Sequence, residues 1–222
     1  MRRARTTVRL TGIALRHQGS QDSLCAYYSA AMLLCALMPE LEEQFDAAHV
    51  ARDPLFANLP RRRRQTIESV AAGWLTSGVA LPALTRALDA AGKATRFRYR
   101  RAPCDGETLA FLQAQVDAGL PCLIGWESLE LGDHTSLVVG YDHFVATRNR
   151  WLRLLDPIRM QEQLEWRQLR RLASTRLEIV WCQAHGGVRP DKLTIARAAD
   201  GTPLDTRNER WDPRSRAWHP LF

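Results

Sequence analysis

A chain of 222 residues, 45% hydrophobic and 25% charged, carries enough apolar material for a sizeable core, which excludes disorder as its main state. Its formal net charge of +7 is almost all arginine, since only Lys93 and Lys192 among 31 basic residues are lysine. That skew reads as coding background more than as a phosphate-binding tract, and without an aromatic platform or RNA-binding signature nucleic acid is not an expected partner.

The five cysteines, Cys25, Cys35, Cys104, Cys122 and Cys182, are odd in number and lack C-x-x-C spacing. They suggest neither a disulfide framework nor a zinc site. The basic start, Met1 to Leu10, leads into no sustained apolar stretch, and the uncharged runs are too short for a bilayer. A reduced, cytoplasmic setting without a membrane span is the expectation.

In chain order, residues 7–15 alternate as a strand does, and Asp22 to Leu37 reads as a helix stopped near Pro39. Residues 40–50 and 64–74 look helical, with Asp53-Pro54 and Pro60 punctuating the loop between them. Leu81-Pro82 opens an amphipathic helix with Leu84, Ala87, Leu88 and Ala91 on one face, ended by Gly92. A strand over 95–100, a helix from Glu107 to Ala118 ended by Gly119, and a strand from Pro121 to Trp126 follow. His134 to Tyr141, Val145 to Leu155 and Arg176 to Cys182 supply further strands. Helices first and strands later indicate an α+β layout with an antiparallel sheet.

After Cys182 the composition changes. Gly186-Gly187, Pro190, Gly201, Pro203, Pro213 and Pro220 break the tail, while Trp211 and Trp218 offer apolar anchors. The expected organisation is a domain over 1–182 and an extension over 183–222 that packs back on it, because about 40 residues rich in breakers cannot build a core alone. Arg61 to Arg64 is the one dense basic cluster, read as a solvated helix start.

Three residues carry chemistry. Cys25 sits where the polar stretch Gln18 to Ser23 turns into an apolar run, with Asp22 and Ser23 as helix-starting residues. A free thiol titrates near about 8.5, and a helix N-terminus or a facing imidazolium favours the thiolate. His134 opens the run His134-Thr-Ser-Leu-Val-Val-Gly-Tyr-Asp142, and Asp156-Pro157 closes the next. In that pattern Cys25 is the nucleophile, His134 the general base and acid, and Asp156 the group that orients the imidazole. Asp142 is the competing acid, but an extended strand sets it roughly 26 Å from His134, at about 3.3 Å per residue. His17 and His143 are the other nearby histidines, and neither starts an apolar run.

These segments resemble the catalytic core of papain-like cysteine peptidases, closest to the branch that processes bacteriocin precursors at double-glycine leaders. The match runs over about residues 13–160. The family usually has Gly after the cysteine, where this chain has Ala26. The resemblance implies a papain-like α+β fold, its N-terminal catalytic helix packed on an antiparallel β-sheet. It also implies a Gln upstream of the cysteine that holds the oxyanion together with the Cys25 N–H. Gln18 is favoured for that role, with Gln21 as the alternative. A peptide or protein substrate and no cofactor follow. Glutamine deamidation or transamidation is the alternative activity on the same groups, and a non-catalytic peptide-binding module the alternative without chemistry. Gly186-Gly187 is the same dipeptide as the double-glycine sites of that branch, a weak candidate for self-cleavage.

Overall fold

In the computed structural model, residues 5–16, 24–45, 53–57, 73–74, 77–92, 95–128, 132–144, 149–158, 160–172, 176–183, 194–198, 209–212 and 217–220 are described. Gln18, Gln21, His17, the Arg61 to Arg64 cluster, most of the expected helix over 64–74 and Gly186-Gly187 lie outside them.

Helix α1 spans Cys25–Leu37. Its sequence is dominated by Ala, Leu and Met, good helix formers, and the run from Ser29 to Leu34 is buried all round, as expected of a helix inside the molecule. It ends because Met38 precedes Pro39, which disfavours the helical region and holds Met38 at φ −137°. Over Pro39–Phe45 the chain forms a 3-10 helix where the helix expected from residue 40 begins, and residues 46–50 of that expectation lie outside the described residues. A one-turn helix α2, Pro54–Ala57, precedes α3, Leu81–Ala91, whose inward face is Leu81, Leu84, Ala87, Leu88 and Ala91. Pro82 is tolerated there because first-turn N–H groups have no intrahelical acceptor. Helix α4, Gly106–Asp117, starts at Asp105, whose carboxylate accepts from the Thr108 N–H at 2.9 Å.

The strands are β1 (Arg5–Thr11), β2 (Arg96–Pro103), β3 (Cys122–Ser128), β4 (Gly132–Phe144), β5 (Asn149–Asp156), β6 (Met160–Glu165), β7 (Arg176–Gln183) and β8 (Thr194–Ala198). A short helix α5, Trp166–Leu172, joins β6 to β7. The eight strands form one antiparallel sheet ordered β2-β7-β3-β4-β1-β8, with β5 and β6 branching from β4. The protein is thus α+β. The sequence reading missed β6, α5 and β8: β6 is mostly polar, and β8 lies in the breaker-rich tail yet finds its partner in β1 at the opposite end of the chain. Strands β9 (Glu209–Asp212) and β10 (Ala217–Pro220) make a separate two-stranded ribbon.

Strand β4 organises the sheet. Residues 132–138 pair with β3 and 140–144 with β1, end to end along one edge. Residues 137–144 pair with β5 along the other, leaving 132–136 without a strand neighbour on that side among the described residues. Past its middle, Gly140 lies where a Cβ would come within 2.4 Å of the Val8 carbonyl oxygen. Only glycine lets β1 approach there. The far half of β4 also buries Asp142, which accepts from Thr7 Oγ1 at 2.5 Å and pairs with Arg153 at 3.0 Å. At the outer edge, β2 carries Arg96, Arg98, Arg100 and Arg101, charge that disfavours edge-to-edge association.

Gly140→Ala should destabilise the protein by about 1–3 kcal/mol through overpacking against backbone that cannot yield. Urea unfolding checks this: the midpoint should fall with the m-value unchanged.

Candidate active site

The gap along β4 is filled by α1. Cys25 Sγ lies 3.9 Å from the Asp133 carbonyl oxygen, and Ser29 Oγ donates to the Thr135 carbonyl oxygen at 3.0 Å. Four helical residues rise about 6 Å and two strand residues about 6.7 Å, so side chains at i and i+4 of a helix can meet every second carbonyl of a strand. This match fixes the first residue of α1 beside His134.

Cys25 is 9% exposed and opens the helix, with Leu24 at the N-cap position. The expected start at Asp22 moves three residues on, which brings Cys25 to the helix N-terminus. Leucine offers no side-chain cap, so the first-turn N–H groups are not consumed by it.

His134 and Asp156 are both buried, and His134 Nε2 lies 2.5 Å from Asp156 Oδ2. Asp156 is itself held: Ser136 Oγ donates to Oδ2 at 2.5 Å, and the Ile158 N–H donates to Oδ1 at 2.8 Å. The last bond is an Asx turn, which explains why Asp-Pro serves here: Pro157 presets the turn whose N–H the carboxylate receives. Trp126, directly across from His134 in register, meets the imidazole edge-to-face with centroids 5.1 Å apart. With Nε2 engaged by Asp156, Nδ1 is the nitrogen left to serve the thiol.

Burial opposes a charged imidazole at this site. The hydrogen bonds and charges of Asp156 and Cys25 outweigh it and push the His134 pKa up to about 9. The other four thiols move toward inertness. Burial pushes Cys104 and Cys182 up to about 11, Cys122 further, and Cys35 upward as well. Cys25 and His134 open on a cleft of about 680 Å3, walled by Ser77 to Leu81 on one side and floored by Arg101, Gly125, Glu127, Asp133, Thr135, Arg176 and Glu178. The absence of a side chain at Gly125 lets Leu81 pack closely on the sheet, because a Cβ there would come within 2.7 Å of the Leu81 side chain.

Three of the four residues singled out in the sequence therefore converge, while Gln18 lies outside the described residues. Asp142 does not join them, being engaged by Thr7 and Arg153. His143 lies nine residues along β4 from His134, in register with Thr6 and Arg150. Ser136 was missed, although the two-residue period of a strand sets it on the same face as His134. Its hydroxyl lies 3.4 Å from Nε2 as well as on Asp156, which makes it a positioning residue for the pair.

No protein-family model matches the sequence, and no curated protein does. Among solved structures, the chain is similar to UfSP from C. elegans, with a TM-score of 0.46 and 11% identity over 78% of this chain and 34% of that one. It is also similar to a protein described as a C39-like peptidase from Bacillus anthracis, with a TM-score of 0.46 and 13% identity over 81% of this chain and 99% of that one. The chain thus spans about a third of the length of the UfSP chain.

Iodoacetamide should label Cys25 before the other four thiols, because it alone of the five lines the cleft. Peptide mapping after timed quenching reads this out. Equal or slower labelling of Cys25 would remove it as a nucleophile.

Proposed function

We propose that the protein is a cysteine-type hydrolase of papain-like fold that cleaves an amide bond in a peptide or protein. One observation carries the reading. A cleft-lining thiol at a helix N-terminus stands beside an imidazole whose far nitrogen is held by a buried, threefold hydrogen-bonded carboxylate.

The chemistry follows from these groups. In the resting pair the Cys25 proton has already passed to His134, and Sγ attacks the substrate carbonyl as the anion of that ion pair. The imidazolium is stabilised by Asp156, which stays ionised and fixes ring and tautomer. Negative charge gathering on the carbonyl oxygen is met by the Cys25 N–H at the start of α1 and by the side-chain amide of Gln18, with Gln21 as the alternative donor. His134 then returns its proton to the leaving amine, and the same residue activates the water that hydrolyses the thioester. No step calls for a cofactor. Ser136 works at one remove: by donating to Asp156 Oδ2 it holds the carboxylate against rotation away from Nε2.

His134→Ala should lower kcat/KM for peptide hydrolysis by about 100- to 10,000-fold. Asp156→Asn should cost less, since it disturbs position and tautomer but leaves the proton carrier. Asp142→Asn should reduce stability and spare turnover. Mass spectrometry of peptide substrates gives the readout: two fragments mark hydrolysis, whereas a +1 Da product of unchanged length would assign glutamine deamidation. Loss of turnover in Asp142→Asn with Asp156→Asn silent would overturn the assignment of the orienting acid.

A further inference from the structure

The cleft floor is polarised. Across the sheet, Arg101 of β2 stands opposite Glu178 of β7, Glu178 opposite Gly125 of β3, and Gly125 opposite Thr135 of β4. Paired residues share a face, so these four form one row running away from the thiol. Two residues along β7 from Glu178, Arg176 lines the same cleft. The acidic residues Glu127 and Asp133 face each other at the β3–β4 end, nearest Cys25.

Arg101 is fixed in an uncommon way. Its Nε donates to Glu178 Oε1 at 2.8 Å and to the Tyr99 hydroxyl at 3.0 Å, while the Tyr99 hydroxyl donates to the same Oε1 at 2.7 Å. Both terminal nitrogens are without a partner among the described residues, and the side chain is 63% exposed at the cleft. A guanidinium tethered at Nε and open at its two ends is preorganised to receive a carboxylate. Glu178 is already committed to the tether, and Arg176 leaves this end of the cleft with a net positive charge.

Resting on the hydrolase reading, we propose that the β2–β7 end of the cleft is a carboxylate-binding subsite in which Arg101, supported by Arg176, selects substrates bearing an acidic group remote from the scissile bond. Three strand spacings of about 4.8 Å separate β4 from β2, so an extended peptide reaches Arg101 roughly three to five residues from the reacting carbonyl. The carboxylate is either an Asp or Glu side chain or the chain's own C-terminus. Glu127 and Asp133 repel the same group close to the thiol, which sets the polarity of the bound peptide.

Binding is best measured without turnover. The full chain with Cys25→Ala is titrated against fluorescein-labelled octapeptide mixtures of otherwise uncharged residues carrying one Glu, Gln or Lys at each successive position. A Gln series with free and amidated C-termini separates a side chain from a chain end. Anisotropy should show Glu, or the free C-terminus, binding about three- to tenfold tighter than its neutral counterpart at one position. Arg101→Gln should erase that preference, and Arg101→Glu should turn it toward Lys; thermal melts confirm that the variants fold. Equal affinities across the three series, no detectable binding among them, or a preference that survives Arg101→Gln would overturn the subsite. Hydrolysis of uncharged peptides by the parent protein tests the acyl-transfer chemistry separately, so the two claims fail independently.

Discussion

Strand β4 has two hydrogen-bonding edges, and over residues 132–136 one of them has no strand to pair with among the described residues. Backbone carbonyls there need donors. Helix α1 supplies them from side chains, Cys25 toward Asp133 and Ser29 toward Thr135, in a match set by the rises of helix and strand. The rest of the site depends on this docking. It closes an exposed edge, buries the apolar body of α1, and holds the helix N-terminus against the residue that follows Asp133 in the chain, His134.

The second constraint is electrostatic. A histidine buried to this degree would normally lose its proton, and an isolated buried carboxylate would be costly. Each makes the other tolerable, and the remaining oxygen valences of Asp156 go to Ser136 and the Ile158 N–H. The result is an imidazole whose charged form is favoured by Asp156 and Cys25 despite burial. Burial likewise disfavours the charged form of Cys35, Cys104, Cys122 and Cys182, and there the nearby cations, Arg16 at Cys35 among them, do not offset it, so these thiols are driven toward the neutral state. One protein interior thus pushes four cysteines toward inertness and leaves a fifth beside an imidazole whose charged form is favoured.

Much of this was legible in the sequence because the chemistry demands particular side chains. Cys25, His134 and Asp156 stood out by their positions at the edges of apolar runs, and the rise of an extended strand kept Asp142 away from His134. Helix α3 was legible for a different reason, its apolar face repeating at helical spacing between Pro82 and Gly92. Ser136 was hidden because a serine inside a strand is ordinary; only its hydrogen bond to Asp156, one residue beyond the Leu137–Leu155 pair, gives it a role. The strands β6 and β8 were hidden by composition, since a polar edge strand and a strand in a Pro- and Gly-rich tail owe their existence to distant partners. The helix start was read too early because polar residues suited to capping precede Leu24, while the docking on β4 is what fixes the first turn.

The site depends on His134 holding its proton through contact with Asp156 and Cys25, and 15N NMR of the labelled imidazole measures that directly. In the intact chain the ring should remain an imidazolium through neutral pH and titrate near about 9, the proton being lost as pH rises through that value. In Asp156→Asn the largest raising contact disappears while burial persists, so the titration should fall toward or below the ordinary histidine value of about 6.5. A midpoint near about 6.5 in the intact chain, unmoved by Asp156→Asn, would contradict the account.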